Sequence, residues 1–417
     1  MTPSGKTLPR TFREVSIPPP LLQDILDQDC VLFLGAGAST EGQGTSYWHE
    51  TLVDELIKEC SYPPELPREL PAICQYYCEN LDAKNKGRLV RFIRERIDRF
   101  MRTPPAYRTV TACHEVISSI PHLRIIITTN WDPFMERVAN VLPIVRNTDL
   151  AYWNDASRQV IKMHGCITDP STMIITTRDY VNYPSPQQLA VANKIRDLMT
   201  TKTFLFVGYS LEDRSFQTMH SDVFHVIGEF ARTAYAVLPT FDEDTAVEWK
   251  RRDVLLIRAL AYPFLEELRY ELIHKGVLFD VQNDIFLIED QLRDISENQD
   301  CVDQETDVGF LTAYYQDGLG HSLEELSYAL RVGTTKDQIK IQEKESSGEL
   351  VRYIQLDAHD EVAYWSGRCI ALSWFLGDRD KPLPKYFSTA RMKPFDKRQY
   401  VQEFRTERRK QPSLRSE

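Results

Sequence analysis

The chain has 417 residues and no run of 18 apolar ones, so a membrane-spanning helix is not expected. Its first stretch, Met1 to Phe12, holds no apolar core of the kind a secretory signal needs. Cysteine is sparse: eight residues are scattered along the sequence, and only Cys74 and Cys78 lie close together. Their spacing puts both on one helix face, where packing rather than metal binding is the expected reason. With no disulfide frame implied, a cytoplasmic protein with reduced thiols is expected. Positive charge is also in deficit. The formal net charge of −11 means that most of the surface should repel nucleic acid and anionic membrane. No internal repeat is present. What remains is ample for folding: 42% of residues are apolar, and the length suits a large domain with a smaller one.

The stretch that organises the chain is Val31-Leu32-Phe33-Leu34-Gly35-Ala36-Gly37-Ala38-Ser39-Thr40. Four consecutive apolar residues read as a strand buried on both faces of a parallel sheet. Gly35 and Gly37 permit a tight turn and a close approach of backbone N–H groups to a ligand. A helix start should follow, and helix N-termini favour anions, which points to a phosphate-bearing ligand. The third glycine of the full dinucleotide pattern is replaced by Thr40, and a glycine-rich strand-to-helix turn without a ligand would read the same way.

Further along, Pro18-Pro19-Pro20 closes a polar start, residues 1–20, that is expected to be flexible. A short helix over Leu21 to Asp29 leads into the first strand. Gly42-Gln43-Gly44 marks a loop, and Ser46 suits an N-cap for a helix from Tyr47 to Cys60. Helical patterns run from Ala72 to Met101, a helical insertion expected to cover the site. Arg124 to Thr128 is a second buried strand, followed by a helix from Phe134 to Val141. Val160 to Met163, Met173 to Ile175, Thr203 to Val207, Thr233 to Leu238 and Val254 to Ile257 read as strands. Gln187 to Thr200 reads as a helix. Strands alternating with helices predict a Rossmann-like α/β fold with a doubly wound parallel sheet over residues 21–275, whose ligands belong at the carboxyl ends of the strands. From Gly276 the texture changes. Gln338 to Glu345 and Glu349 to Leu356 alternate across Ser346-Ser347-Gly348 like a hairpin. Residues 276–390 are therefore expected to form a small C-terminal α+β interaction domain. Residues 391–417 carry nine Lys or Arg against four acids, a basic tail that is the one stretch suited to nucleic acid.

Polar clusters fall where strands end. Asp132 before Pro133 makes a good helix start, Ser210 with Asp213 fits a capping box, and a single His164 is as well explained by a core position. Yet Gly35-Ala36-Gly37-Ala38-Ser39, Thr129-Asn130-Trp131-Asp132, His164-Gly165 and Gly208-Tyr209-Ser210 follow four strands in that order. This set resembles the sirtuin family across about residues 21–275. The resemblance implies an NAD site. Gly35, Ala36, Gly37 and Ser39 would hold the pyrophosphate, and Thr129 would belong to the cofactor-binding set. Asn130 and Asp132 would face the nicotinamide ribose and carboxamide, His164 would be the general base, and Gly208 and Ser210 would contact the adenosine half. The residue types suit cleavage of the nicotinamide–ribose bond, which passes through an oxocarbenium-like state and needs positioned groups and a base rather than a strong nucleophile.

The departures from that family are informative. Protein-deacylating sirtuins carry a zinc ribbon of two Cys pairs between the His-Gly and Gly-Ser motifs. Here only Cys166 stands there, so no zinc is expected and lysine deacylation loses its support. Gly44-Thr45-Ser46-Tyr47-Trp48 replaces the Phe-Arg element of the deacylases. The variant without a ribbon resembles the sirtuin-like NADases of bacterial antiphage defence, most closely the member paired with a HerA-type ATPase. NAD would then be a substrate, hydrolysed to ADP-ribose and nicotinamide. Such an activity must be restrained, which implies a homo-oligomer or the ATPase as regulating partner. The alternatives are a non-catalytic NAD or ADP-ribose sensor, and ADP-ribosyl transfer or deacylation on the same residues. A nuclease lacks a convincing carboxylate cluster.

Overall fold

The computed structural model describes residues 15–39, 49–82, 85–154, 157–211, 217–218, 221, 232–299, 307–331, 334, 336–356, 358–377, 383–384 and 386–387. The chain divides into two compact units, Met1–Glu271 and Leu272–Glu417.

The first unit opens with α1 (Pro19–Leu26), so the triple proline starts a helix instead of preceding ordered structure. Proline has φ already set for the first helical turn and lacks only an N–H that would be unpaired there. Within the polar start, Ile17 is already buried while Pro19 and Pro20 stay exposed. Strand β1 (Cys30–Leu34) follows, buried at every position. A short 3-10 turn, Ala36–Ser39, succeeds it. Four helices then form a module: α2 (His49–Cys60), α3 (Leu70–Leu81), α4 (Gly87–Arg102) and α5 (Pro104–Ser118). In α4 the buried residues Leu89, Ile93 and Ile97 recur every four positions among charged neighbours, the pattern of a helix with one face in a core.

The sheet continues with β2 (Ile125–Thr128), helix α6 (Phe134–Ala139), β3 (Pro143–Ile144) and β4 (Gln159–Lys162). Helices α7 (Thr177–Val181) and α8 (Leu189–Thr201) lead to β5 (Thr203–Val207). Then come β6 (Ala234–Leu238), α9 (Glu243–Lys250), β7 (Val254–Arg258) and α10 (Ala261–His274). The strands lie in the order β3-β4-β2-β1-β5-β6-β7, every pairing parallel. On one face Val31, Phe33, Ile127, Ile161, Phe204 and Phe206 pack with Val191, Ile195 and Leu198 of α8. Each such side chain contributes roughly 1.5–3 kcal/mol by leaving water. The expected doubly wound α/β architecture is therefore present. No helix among the described residues is long and apolar enough to cross a membrane.

Two local readings change. Met173 to Ile175 is not a strand: Met173 and Ile175 are apolar because they sit in the core of the helical module beside Trp131 and Phe134. The backbone of Ile174 is satisfied by His164 and by the Trp131 indole rather than by a neighbouring strand. A two-residue strand, Pro143–Ile144, edges the sheet instead.

The second unit is helical, not α+β. It holds α11 (Val281–Gln299), α12 (Asp307–Arg331), α13 (Lys336–Gln355) and α14 (His359–Leu376). Residues 338–355 of the expected hairpin lie within the single helix α13. In a strand Ile339 and Ile341 would share a face; in a helix they point nearly opposite ways. Ile339 is 0% exposed and Ile341 58%, and the buried partner of Ile339 along α13 is Ser346, two turns on. Cys74 and Cys78 are buried in α3 among the module's core residues. The loop Gly42-Gln43-Gly44, the Ser46 cap, the stretch through Trp48, Asp213 and the basic tail lie outside the described residues.

Candidate active site

Four adjacent strands end level with one another. Lys162 of β4 pairs with Thr128 of β2, Thr128 with Leu34 of β1, and Leu34 with Val207 of β5. All four motifs therefore leave the sheet from one row, three strand spacings or about 14 Å wide. The chain winds from β1 toward β2 and returns to β5 on the other side. The β1/β5 boundary is thus the switch point where open α/β sheets bind ligands.

At that boundary the two glycine turns interlock. Gly35 N–H donates to the Val207 carbonyl at 3.1 Å and Gly37 N–H to the Gly208 carbonyl at 2.8 Å. A Cβ on Gly35 would stand 2.4 Å from the Gly208 carbonyl oxygen, and one on Gly37 2.8 Å from the Gly208 Cα. The glycines were expected for a ligand's approach; what approaches them here is the second turn. Ala36, Gly37, Thr129 and Gly208 remain partly exposed and Ser210 exposed, so this edge is where a ligand can meet backbone. Ser39 is fully buried and its hydroxyl has no partner among the described residues. An orphaned hydroxyl under a turn of small residues fits a polar ligand.

Asn130 ties the next loop to this turn. Its Nδ2 donates to the Gly35 carbonyl at 3.1 Å, while its own N–H reaches Thr128 Oγ1 at 3.0 Å. Thr128 Oγ1 in turn donates to the Leu34 carbonyl at 3.0 Å. Asp132 is buried, and one oxygen accepts the Phe134 N–H at 3.1 Å; the N-cap of α6 is Pro133 rather than Asp132, so Asp132 braces the turn before the helix instead of capping it. Its other oxygen has no partner among the described residues. Burial pushes this carboxyl up to about 6, with Lys162 pulling the other way and Glu136 adding to the rise. His164 is also buried; Tyr180 Oη lies 3.4 Å from its Nδ1. Gly165 after it has φ +80° and lies too close to the Thr172 carbonyl for any side chain.

Sequence reasoning missed the groups beneath these residues. Lys162, the last residue of β4, is fully buried, donates to the Asp132 carbonyl, and pairs with Glu136 at 2.9 Å. Burial alone would lower its pKa, but Glu136, Cys166 and Asp132 outweigh that and raise it. His114 of α5 is pushed down to about 4 by burial and by Lys162, so it is neutral. The signal was available: a lysine closing an apolar strand, with Glu136 one helical turn past Asp132. Among the described residues no group of three or more His, Cys, Asp or Glu is placed to hold a metal ion.

The sheet, its switch point and the row of polar loops define a doubly wound α/β protein whose candidate site lies at the carboxyl ends of its strands. Residues 124–257 match the family model described as the SIR2-like domain, a segment from the residue before β2 into β7. The chain is 29% identical over 216 residues to the NAD(+) hydrolase ThsA of Enterococcus faecium, covering 50% of this chain and 43% of that one. It is 28% identical over 197 residues to NAD(+) hydrolase ThsA of Bacillus cereus, covering 46% and 39%. The chain therefore spans less than half the length of these curated relatives.

Proposed function

We propose that this protein is an NAD glycohydrolase, converting NAD and water to ADP-ribose, nicotinamide and a proton. The observation that carries the reading is the single row in which the four motifs leave β4, β2, β1 and β5. The SIR2-like match and the NAD(+) hydrolases among its relatives support it. Nicotinamide departs with the electron pair of the glycosidic bond, and water adds to the anomeric carbon. His164 takes the water's proton. Asn130, fixed on the Gly35 carbonyl, orients ribose and water. Asp132 offers its second carboxylate oxygen to the carboxamide, and the Gly35–Ser39 turn, with Thr129, Gly208 and Ser210, holds the dinucleotide.

The setting is antiphage defence in the cytoplasm, the context the sequence resemblance implies, with NAD depletion as the outcome. Restraint would come from self-assembly or from a HerA-type ATPase. The helical insertion, about residues 60–110, and the C-terminal domain are the candidate contact surfaces; the insertion's core takes in Trp131, Ile167 and Met173 from the loops after β2 and β4.

The test is to incubate the full chain with NAD, with and without a HerA-type ATPase, and separate the products by chromatography. ADP-ribose and nicotinamide should appear, and His164→Ala should cut their rate by about 10²–10⁴-fold, the usual worth of a positioned base. Asn130→Ala should abolish turnover as well. NAD bound but intact in every condition would establish the sensor reading instead. Wild-type rates in both variants would overturn the site assignment.

A further inference from the structure

His164 has two tyrosines of one short segment against its ring. Tyr180 meets it edge-on at 5.2 Å and 72°, and Tyr183 at 6.0 Å and 81°. The Tyr180 hydroxyl also lies near a ring nitrogen, Oη to Nδ1 at 3.4 Å. Hydrogen bonds in resting sites are often this long and tighten when substrate binds.

The segment that carries Tyr180 is held at several points. Thr176 caps α7 by accepting the Asp179 N–H at 3.3 Å. Asp179 reaches back to the Ile175 and Thr176 N–H groups at 3.0 and 2.8 Å. Its other oxygen pairs with Lys86, the residue before α4. Burial would raise the Asp179 pKa; Lys86 and the two N–H groups outweigh it and hold the carboxyl below its ordinary range. Gln75 of α3 also accepts from the Arg178 N–H at 3.4 Å. A one-turn helix would fray alone; this one is fastened to the module α2–α5 at Arg178 and Asp179, the two residues before Tyr180.

We propose that Tyr180 is the positioning residue of His164. A phenol hydroxyl can donate or accept at Nδ1; the role assigned to Tyr180 Oη is that of acceptor from Nδ1–H, which leaves the Nε2 lone pair to take the proton, with the Lys86–Asp179 ion pair fixing the adjoining backbone. A neutral imidazole carries one hydrogen. If Nδ1 holds it, Nε2 is a base; if Nε2 holds it, His164 presents a donor where the reaction needs an acceptor. Partners on the far nitrogen of a working histidine commonly fix this choice. The inference rests on the glycohydrolase reading for its consequence, but the tautomer itself does not.

The experiment uses the full chain with ¹⁵N-labelled histidine, and His164 resonances are assigned by their loss in His164→Ala. Wild-type spectra should show His164 with hydrogen on Nδ1, and Tyr180→Phe should shift it toward hydrogen on Nε2. In NAD turnover, Tyr180→Phe should lower kcat about 10–100-fold with KM within about threefold. Lys86→Met should lower kcat in the same direction and Lys86→Arg restore it. An Nε2–H tautomer in the wild type, or the same tautomer in both proteins, would overturn the proposal. So would an unchanged kcat in Tyr180→Phe. A tautomer shift on Tyr180→Phe, with NAD left intact by the wild type, would refute the glycohydrolase reading and leave the Tyr180–His164 relationship standing.

Discussion

Gly37 donates its N–H to the carbonyl of Gly208, 2.8 Å away, so the turn after β1 and the turn after β5 are hydrogen-bonded to each other. Gly208 adopts φ +64°, and a Cβ there would lie 2.2 Å from the Ala38 nitrogen and 2.5 Å from the Gly37 carbonyl carbon. Both contacts are backbone, which cannot swing away. Gly208→Ala should therefore cost more than about 2 kcal/mol, combining the left-handed backbone with the clash. Urea unfolding measures it. A loss under 0.5 kcal/mol, on the order of an ordinary surface change, would mean the turns do not approach this closely in solution.

Asp132 gives the molecule a pH dependence of known sign. Its carboxyl is pushed up to about 6 from 3.8, so folding favours the protonated form. Below about pH 4 both folded and unfolded chains hold the proton, and nothing is lost. As pH rises from 4 to 6 the unfolded chain releases it more readily, and above about 6 the penalty is complete, on the order of 3 kcal/mol. Asp132→Asn keeps the acceptor for the Phe134 N–H and removes the charge. It should stabilise the protein by about 1–3 kcal/mol at pH 7.5, with the advantage shrinking toward pH 4.5, while NAD turnover falls. An advantage independent of pH would show that the carboxyl is not held in this state.

Lys162 is the cation that makes two buried carboxyls tolerable. Glu136 is 7% exposed, and its second oxygen has no partner among the described residues. Lys162→Met leaves Glu136 charged and uncompensated, which should cost about 3–5 kcal/mol. Adding Glu136→Gln removes that charge and should recover at least half of the loss. The double-mutant cycle, read by chemical denaturation, measures the coupling directly. Additive single losses would show that the pair does not interact.

Much of this fold was legible because parallel strands buried on both faces are continuous apolar runs, and β1, β2 and β5 each read that way; β4 carries only Val160 and Ile161 between two buried polar ends. Their carboxyl ends gave the site row as well. What failed did so where a pattern has two physical causes. Met173 and Ile175 are apolar for packing under the helical module, not for a sheet. Ile339 and Ile341 alternate by coincidence on a helix that buries only the first. Strand β3 is two residues long and carries no periodicity to read. In the site, Gly35 and Gly37 signalled a close approach but not its partner, because the partner, Gly208, lies far along the chain. Tyr180 ends the polar cluster Thr177-Arg178-Asp179-Tyr180, but nothing in the sequence ties it to His164; only the fold brings the two together.

The helical second unit makes a sharper prediction than its sequence did. Helices α12 and α14 touch at backbone level through two glycines. A Cβ on Gly318 would stand 2.0 Å from the Tyr364 carbonyl oxygen, and one on Gly367 2.1 Å from the Tyr315 carbonyl oxygen. Around this contact Tyr315, Leu319, Leu323, Ala363, Ala371 and Phe375 are buried in the unit's core. A methyl group at either glycine must push the helices apart by an ångström or more, opening the packing along the whole contact. An alanine within a helix would otherwise be favoured over glycine by about 1 kcal/mol, so any loss reports the clash. Gly318→Ala and Gly367→Ala should each destabilise the second unit by about 1–3 kcal/mol, the usual cost of overpacking. Gly348 of α13 meets nothing within 4 Å, and Gly348→Ala should stabilise the same unit slightly. Hydrogen exchange followed by mass spectrometry reads the change within residues 307–376. Equal protection in all three variants would mean that α12 and α14 are not in backbone contact.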